Sequence, residues 1–133
     1  MKVSTKGRYG LRALADLAVN SKGDPVSVAS IAERQHISSN YLESIFSTLK
    51  KAGVIKSIKG VNGGYVLRED AQDIGIGDIL RILEGDLSII DSEGDDDELD
   101  DGSLKLCIEH SVWDVVSNRI DQVVNSMTLE DII

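Results

Sequence analysis

Eight of the eleven residues from Asp91 to Asp101 are acids, and Leu99 is the only aliphatic side chain among them. Such a stretch cannot bury enough apolar surface to order itself, so any packed structure has to be assembled from the residues on either side. The two sides differ in charge. Residues 1–69 carry eleven Lys and Arg against five Asp and Glu, whereas residues 70–133 carry three against eighteen. The formal net charge of −9 therefore conceals a basic front half, and an asymmetry of this kind points to a polyanion as the partner of that half. At 133 residues the chain has room for one core of ordinary size with an appended element.

The front half reads as three helices and a hairpin. Ser4 or Thr5 can cap a helix that carries Leu11, Leu14, Ala15, Leu17 and Ala18 on one side and stops at Asn20–Pro25. Lys6, Arg8 and Arg12 precede or share its first turns, where positive charge opposes the helix dipole, and a phosphate partner would account for them. After a brief extended step at Val26-Ser27, Ser27 can cap a short helix with Val28, Ile31 and Ala32 facing inward, ending near Ile37 with His36 at the surface. Ser38-Ser39-Asn40 is a run of capping residues. Asn40 and Glu43 have the spacing of a capping box, which starts the next helix at Asn40 and buries Leu42, Ile45, Phe46 and Leu49 before Gly53. Glu43 can close that cap or accept from a cytosine amino group, and its residue type alone does not choose. Two helices separated by about three or four residues form the pattern of a helix-turn-helix. Val54–Lys59 and Tyr65–Arg68 then alternate as strands around Gly60-Val61-Asn62-Gly63-Gly64, where Asn62-Gly63 supplies residues tolerant of positive φ. A hairpin directly after a helix-turn-helix makes a winged helix, and Lys50, Lys51, Lys56 and Lys59 then read as phosphate contacts.

In the rear half, Ile76–Glu84 reads as a helix stopped by Gly85. From Leu104 to Met127 helical periodicity returns, with Trp113, Val116, Ile120, Val123 and Met127 spaced by three or four, and Ile108, Val112, Val115 and Val124 widening the stripe enough to serve two neighbours. Thr128 then offers a fresh cap with Asp131 three residues on. Cys107 and His110 sit three apart on one helical face, the spacing of a metal pair, but two ligands do not close a site; a half-buried thiol beside a packed His is the simpler reading. One cysteine allows no internal disulfide and suits a reducing compartment. No apolar run reaches the roughly 18 residues of a membrane span, and no signal-peptide run opens the chain, so a cytoplasmic protein with no membrane partner is expected. Two histidines and one cysteine form no visible nucleophile–base–orienter set, which argues against an enzyme.

Met1-Lys2-Val3-Ser4-Thr5-Lys6-Gly7-Arg8-Tyr9-Gly10-Leu11, Tyr41-Leu42-Glu43, Lys59-Gly60-Val61-Asn62-Gly63-Gly64-Tyr65-Val66-Leu67 and Leu83-Glu84-Gly85, in this order, resemble the Rrf-type bacterial transcription regulators. The tail from Cys107-Ile108-Glu109-His110 through Trp113 to Thr128-Leu129-Glu130-Asp131 extends the resemblance over nearly the whole chain. It implies a mainly α fold: a winged helix-turn-helix DNA-binding domain over residues 1–85, an acidic flexible loop over 86–103, and a dimerisation helix with a C-terminal cap over 104–133. It also implies a homodimer with Trp113, Val116, Ile120, Val123 and Met127 in the seam. The recognition helix beginning near Asn40 would enter the major groove of a double-stranded, partly palindromic operator, and the wing tip at Asn62-Gly63-Gly64 the adjacent minor groove. Asn40, Tyr41, Glu43 and Lys59 are implied to meet bases or fix the register, within a DNA-facing set that includes Lys2, Ser4, Thr5, Lys6, Arg8, Tyr9, Ser38, Ser39 and Lys50. The chain departs from the family where Asn40 replaces a frequent Ser and Lys59 a frequent Arg, which reads bidentate acceptors better than Lys does.

Cluster-binding members hold an iron–sulfur centre on three cysteines in the loop before the long helix, plus a ligand from elsewhere. Here only Cys107 remains, Asp and Glu fill that loop, and Arg8 and Arg12 stand near the N-terminus where some members place an acidic ligand. Iron–sulfur centres rest on thiolates, which carboxylates replace poorly. The expectation is therefore a regulator without a cofactor, acting as a repressor of iron–sulfur, cysteine and sulfur, or redox metabolism genes, with a metabolic enzyme as a candidate regulatory partner. Two rivals stay open: a cluster- or thiol-based redox sensor using Cys107 and His110, and an acidic interaction adaptor that does not bind DNA.

Overall fold

The computed structural model describes residues 2–85, 87 and 104–133. In its front half, helices Thr5–Ser21 (α1), Val28–Gln35 (α2) and Ser39–Lys51 (α3) each open on a serine hydroxyl that accepts from a backbone N–H three residues on. Ser4 accepts from Gly7 at 3.4 Å, Ser27 from Ser30 at 3.1 Å and Ser38 from Tyr41 at 3.4 Å. The start of α3 differs from the one the Asn40–Glu43 spacing suggests. His36 turns the chain through the left-handed region (φ 55°), Ile37 is buried, and Ser38 takes the cap, so Asn40 already lies inside the helix and the Asn40–Glu43 box does not form.

Strands Ile55–Ile58 (β1) and Gly64–Leu67 (β2) pair antiparallel, with Ile55 opposite Leu67 and Ile58 opposite Gly64. Val26 joins them, its N–H donating to the Tyr65 carbonyl (3.0 Å) and its carbonyl accepting from the Tyr65 N–H (2.8 Å). The hairpin loop bends at Gly60 (φ 125°), whose carbonyl accepts from the Gly63 N–H at 3.0 Å. Neither Asn62 nor Gly63 adopts the positive φ expected of it, because a five-residue loop does not need the paired left-handed residues of a two-residue turn.

A short 3₁₀ turn, Ala71–Asp73, leads into Ile76–Glu84 (α4), which Gly85 ends at φ 83°. Leu104–Ile108 (α5), a π-helical turn Glu109–Trp113 and Asp114–Ser126 (α6) follow one another with no break in helical backbone, and Thr128 and Asp131 form a capping box over the 3₁₀ helix Leu129–Ile132. The acidic loop expected over 86–103 lies outside the described residues, except for Leu87, which is buried.

The mainly helical winged fold closes on one core, in which Leu14, Leu17, Ile31, Leu42, Ile45, Phe46, Leu49, Ile55, Ile79 and Leu129 are essentially inaccessible. Burial of side chains this large is the main force holding the helices together. The end of the chain belongs to this core. The Ile76 N–H donates to the Met127 carbonyl (2.9 Å), the Leu129 N–H to the Ile74 carbonyl (2.8 Å), and Arg81 to Asn125 (2.8 Å) and Asp121 (3.2 Å). Leu104 to Val116, by contrast, keep their large apolar side chains exposed.

Among the described residues one charged side chain is buried. Asp16 on α1 accepts from Arg34 Nη2 (2.7 Å) and Nε (2.9 Å), Gln35 Nε2 (2.9 Å) and Asn20 Nδ2 (3.2 Å), which fixes α2 against α1. Burial alone would push its carboxyl up, but the hydrogen bonds from Arg34, Gln35 and Asn20, with the guanidinium charge, outweigh that and hold it below the ordinary value of 3.8. Arg34→Ala strands this carboxylate with neutral donors only, and the expected loss is about 3 kcal/mol at pH 7 by urea denaturation. A lowered folded-state pKa contributes stability above the ordinary carboxyl range and loses it as pH falls through the folded value, so the gap between wild type and variant narrows below about pH 4.

Candidate nucleic-acid interface

Three pieces of surface carry the residues that the sequence singles out, and aromatic contacts fix their relative positions. The Tyr9 and Tyr41 rings meet edge to face at 5.9 Å, joining the start of α1 to the first turn of α3. Arg12 lies 5.4 Å over the Tyr9 ring and donates to the Gln35 carbonyl at 2.6 Å, so this cation also caps the end of α2. The Tyr65 ring meets Phe46 at 5.1 Å, joining the wing to the middle of α3. Gly64 is required beside it, since a Cβ there would run into the Val26 carbonyl and the Ser27 nitrogen.

On α3, Ser39, Asn40 and Glu43 are exposed, and among the described residues the Asn40 and Glu43 side chains make no hydrogen bond or ion pair. With the cap taken by Ser38, the Glu43 carboxylate faces solvent. Tyr41 is half-buried against Tyr9, and the Ser38 hydroxyl is committed to the cap. Lys50 stands at the opposite end of α3, ten residues and about 15 Å from Asn40 along the axis. Lys59 and Asn62 are exposed on the wing, whose tip curls towards Ser27 and Ser30 at the start of α2, while Gly63 and Gly64 are half-buried. At the start of α1, Lys2, Thr5 and Arg8 are exposed and Lys6 is half-buried; Arg8 reaches Thr5 Oγ1 at 3.5 Å. Among the described residues Lys2, Lys6, Lys50 and Lys59 have no acidic partner.

Ser4 is engaged elsewhere: its N–H and its hydroxyl both donate to Glu84 Oε1, at 2.8 and 2.7 Å. This pairing, the Arg12 contact with Gln35 and the bond between Tyr65 and Val26 are functional geometry that the sequence reading missed. Only the joint presence of Gly7 and Gly10, which a helix interior disfavours, signals a close approach at the first of them.

On the C-terminal helix, Trp113, Val116 and Val123 are exposed by 42, 40 and 58%, and Ile120 is half-buried. Met127 lies past the helix end in extended backbone and packs on the chain's own core. Cys107 is exposed. His110 Nδ1 pairs with Asp114 Oδ2 at 3.0 Å rather than with Cys107, and among the described residues no three His, Cys, Asp or Glu side chains converge as a metal site. One thiol per chain does not fit an iron–sulfur centre, which needs several. No described helix is long and apolar enough to cross a membrane. Gly64→Ala is expected to break the Val26–Tyr65 bridge, and amide hydrogen exchange would then show fast Val26 and Tyr65 protons over a still protected α1 and α4.

Comparison with known proteins agrees with this architecture. The family described as Rrf2, iron-dependent transcriptional regulator, matches residues 3–133. The HTH-type transcriptional regulator IscR of Photobacterium profundum is 39% identical over 132 residues, 99% of this chain and 75% of that one. The structure of CymR, the global cysteine regulator of B. subtilis, superposes with a TM-score of 0.84 at 38% identity, covering 99% of this chain and 95% of that one. T. potens IscR superposes with a TM-score of 0.79 at 44% identity, covering 99% and 85%. A match of this extent, on a winged helix with a long C-terminal helix, means that the chain belongs to the Rrf2 family of transcriptional regulators.

Proposed function

We propose that the protein is a homodimeric, cytoplasmic, non-enzymatic transcriptional repressor that binds a partly palindromic DNA operator and works without an iron–sulfur cluster. The observation that carries this reading is the solvent-facing pair Asn40 and Glu43 on α3, without side-chain partners among the described residues, on a basic front half whose wing Tyr65 ties to α3. An α-helix fits the major groove, where an Asn side chain can bond adenine and a carboxylate can accept from the cytosine amino group. Lys2, Lys6, Arg8 and Lys59 supply phosphate contacts, which set affinity and register rather than sequence preference.

Dimerisation is supported by the exposed apolar stripe of the C-terminal helix: Leu104, Ile108, Val112, Val116 and Val123 are each at least 40% exposed, and a second copy would bury them. The absence of a cluster is supported by the donor set, since Cys107 is the chain's one thiol. Its exposure favours a second reading of the signal, reversible thiol oxidation, over a metal centre with His110. The description of CymR as a global cysteine regulator supports sulfur metabolism as the regulated field, with a metabolic enzyme as a candidate partner.

Gel-shift titration on a duplex from the protein's own promoter region is expected to show affinity falling steeply with salt, and a flat salt dependence refutes the reading. Lys59→Ala should weaken all DNA sequences alike, whereas Glu43→Ala should change which base pairs are preferred, by about 1–3 kcal/mol at each discriminated position. Val116→Glu combined with Val123→Glu is expected to give a folded monomer by analytical ultracentrifugation, with operator binding lost.

A further inference from the structure

The last residue of α4 touches the first residues of α1 across 80 positions of sequence. Glu84 Oε1 accepts from the Ser4 N–H at 2.8 Å and from the Ser4 hydroxyl at 2.7 Å. The same hydroxyl accepts from the Gly7 N–H at 3.4 Å, so Glu84 orients the cap that starts the helix. Gly7 leaves space for the carboxylate, because a Cβ there would meet Glu84 Oε1, and Gly10 does the same for Leu83. Two glycines inside α1 weaken it as a helix, and this close approach to α4 is what they permit.

Glu84 is an odd residue to find here. It is half-exposed, has no cationic partner among the described residues, and its charge opposes a phosphate backbone approaching the adjacent Lys2, Lys6 and Arg8. We propose that Glu84 is a positioning residue for DNA binding, fixing Ser4 so that the arm before α1 presents Lys2 and the first turn presents Lys6 to phosphate. The inference rests on the DNA-binding reading above. A segment already held in place ahead of a helix loses less conformational freedom on binding. α4 is itself fixed, at its start by the Ile76 N–H donating to the Met127 carbonyl and one turn before Glu84 by Arg81 bonding Asp121 and Asn125 of α6, so the arm is referenced to the body of the protein and not to α1 alone.

The test is fluorescence anisotropy on a labelled duplex from the protein's own promoter region, over a range of salt, with the full chain. Glu84→Ala is expected to weaken binding about fivefold to tenfold near physiological salt and to reduce the slope of log affinity against log salt by about one. Glu84→Gln keeps an acceptor oxygen for Ser4 and is expected to restore binding to within about twofold of wild type. In a Lys2→Ala, Lys6→Ala background Glu84→Ala is expected to have no further effect. Gly7→Ala, which displaces the carboxylate while favouring the helix, provides the same slope loss by a route that does not depend on the folding of Glu84→Ala. An unchanged slope in both Glu84→Ala and Gly7→Ala, or an equal loss with and without the two lysines, overturns the proposal while the DNA-binding reading stands. Wild type that binds without salt dependence removes both.

Discussion

The contact between β2 and the segment ahead of α2 is the constraint from which the geometry of the binding surface follows. A two-stranded hairpin is marginal by itself, and this one is short. It gains a partner because Gly64 has no Cβ and the backbone of Tyr65 can therefore reach Val26, exchanging both hydrogen bonds with it. The Tyr65 ring then lies edge-on to Phe46, a fully buried residue of α3. Wing, α2 cap and recognition helix thus share one residue, and none of them can move without disturbing the other two. On the DNA-binding reading proposed above, such a surface gains from this, because little ordering remains to be done when the partner arrives.

Two carboxylates fix the other side of α1 in contrasting ways. Asp16 is buried and takes a guanidinium with two further donors, the arrangement a buried charge needs to be tolerable. Glu84 is half-exposed and, among the described residues, takes only the neutral donors of Ser4. The first ties α2 to α1 through a carboxylate shielded from solvent. The second sits where solvent and salt reach it, and it governs only a local arm. The stronger constraint therefore serves the fold and the weaker one the surface.

The elements legible in the sequence are those whose signals are local. Ser4, Ser27, Thr128 and Gly85 mark helix ends because capping is settled within three or four residues. Where several capping residues stand in a row, at Ser38-Ser39-Asn40, local rules leave a choice, and the burial of Ile37 and the turn at His36 make it. The wing hairpin is legible, but its positive φ falls on Gly60, since Asn62-Gly63 is the signature of a shorter turn than the five-residue loop present. The bonds from Glu84 to Ser4 and from Arg34 to Asp16 were illegible, since nothing periodic links residues 80 or 18 positions apart. For the same reason the sequence shows Arg12 only as a cation suited to phosphate, whereas in the fold it also caps α2 through the Gln35 carbonyl.

The π turn at Glu109–Trp113 is the least legible feature, and its position has a geometric explanation. In an α-helix a step of four residues overshoots a full turn by about 40°, so side chains at every fourth position wind around the axis. Leu104, Ile108, Val112, Val116 and Ile120 are spaced in this way, and on an unbroken α-helix they would spiral over almost half its circumference. The wider i→i+5 turn in their middle lowers the rotation per residue and so offsets part of that drift. One step beyond the half-buried Ile120, Val124 is buried and packs against Gly77 on α4, which ties down the end of the helix while Leu104 to Val116 stay open. A straight apolar line is what a second helix lying alongside can cover in one pass, and a spiral is not.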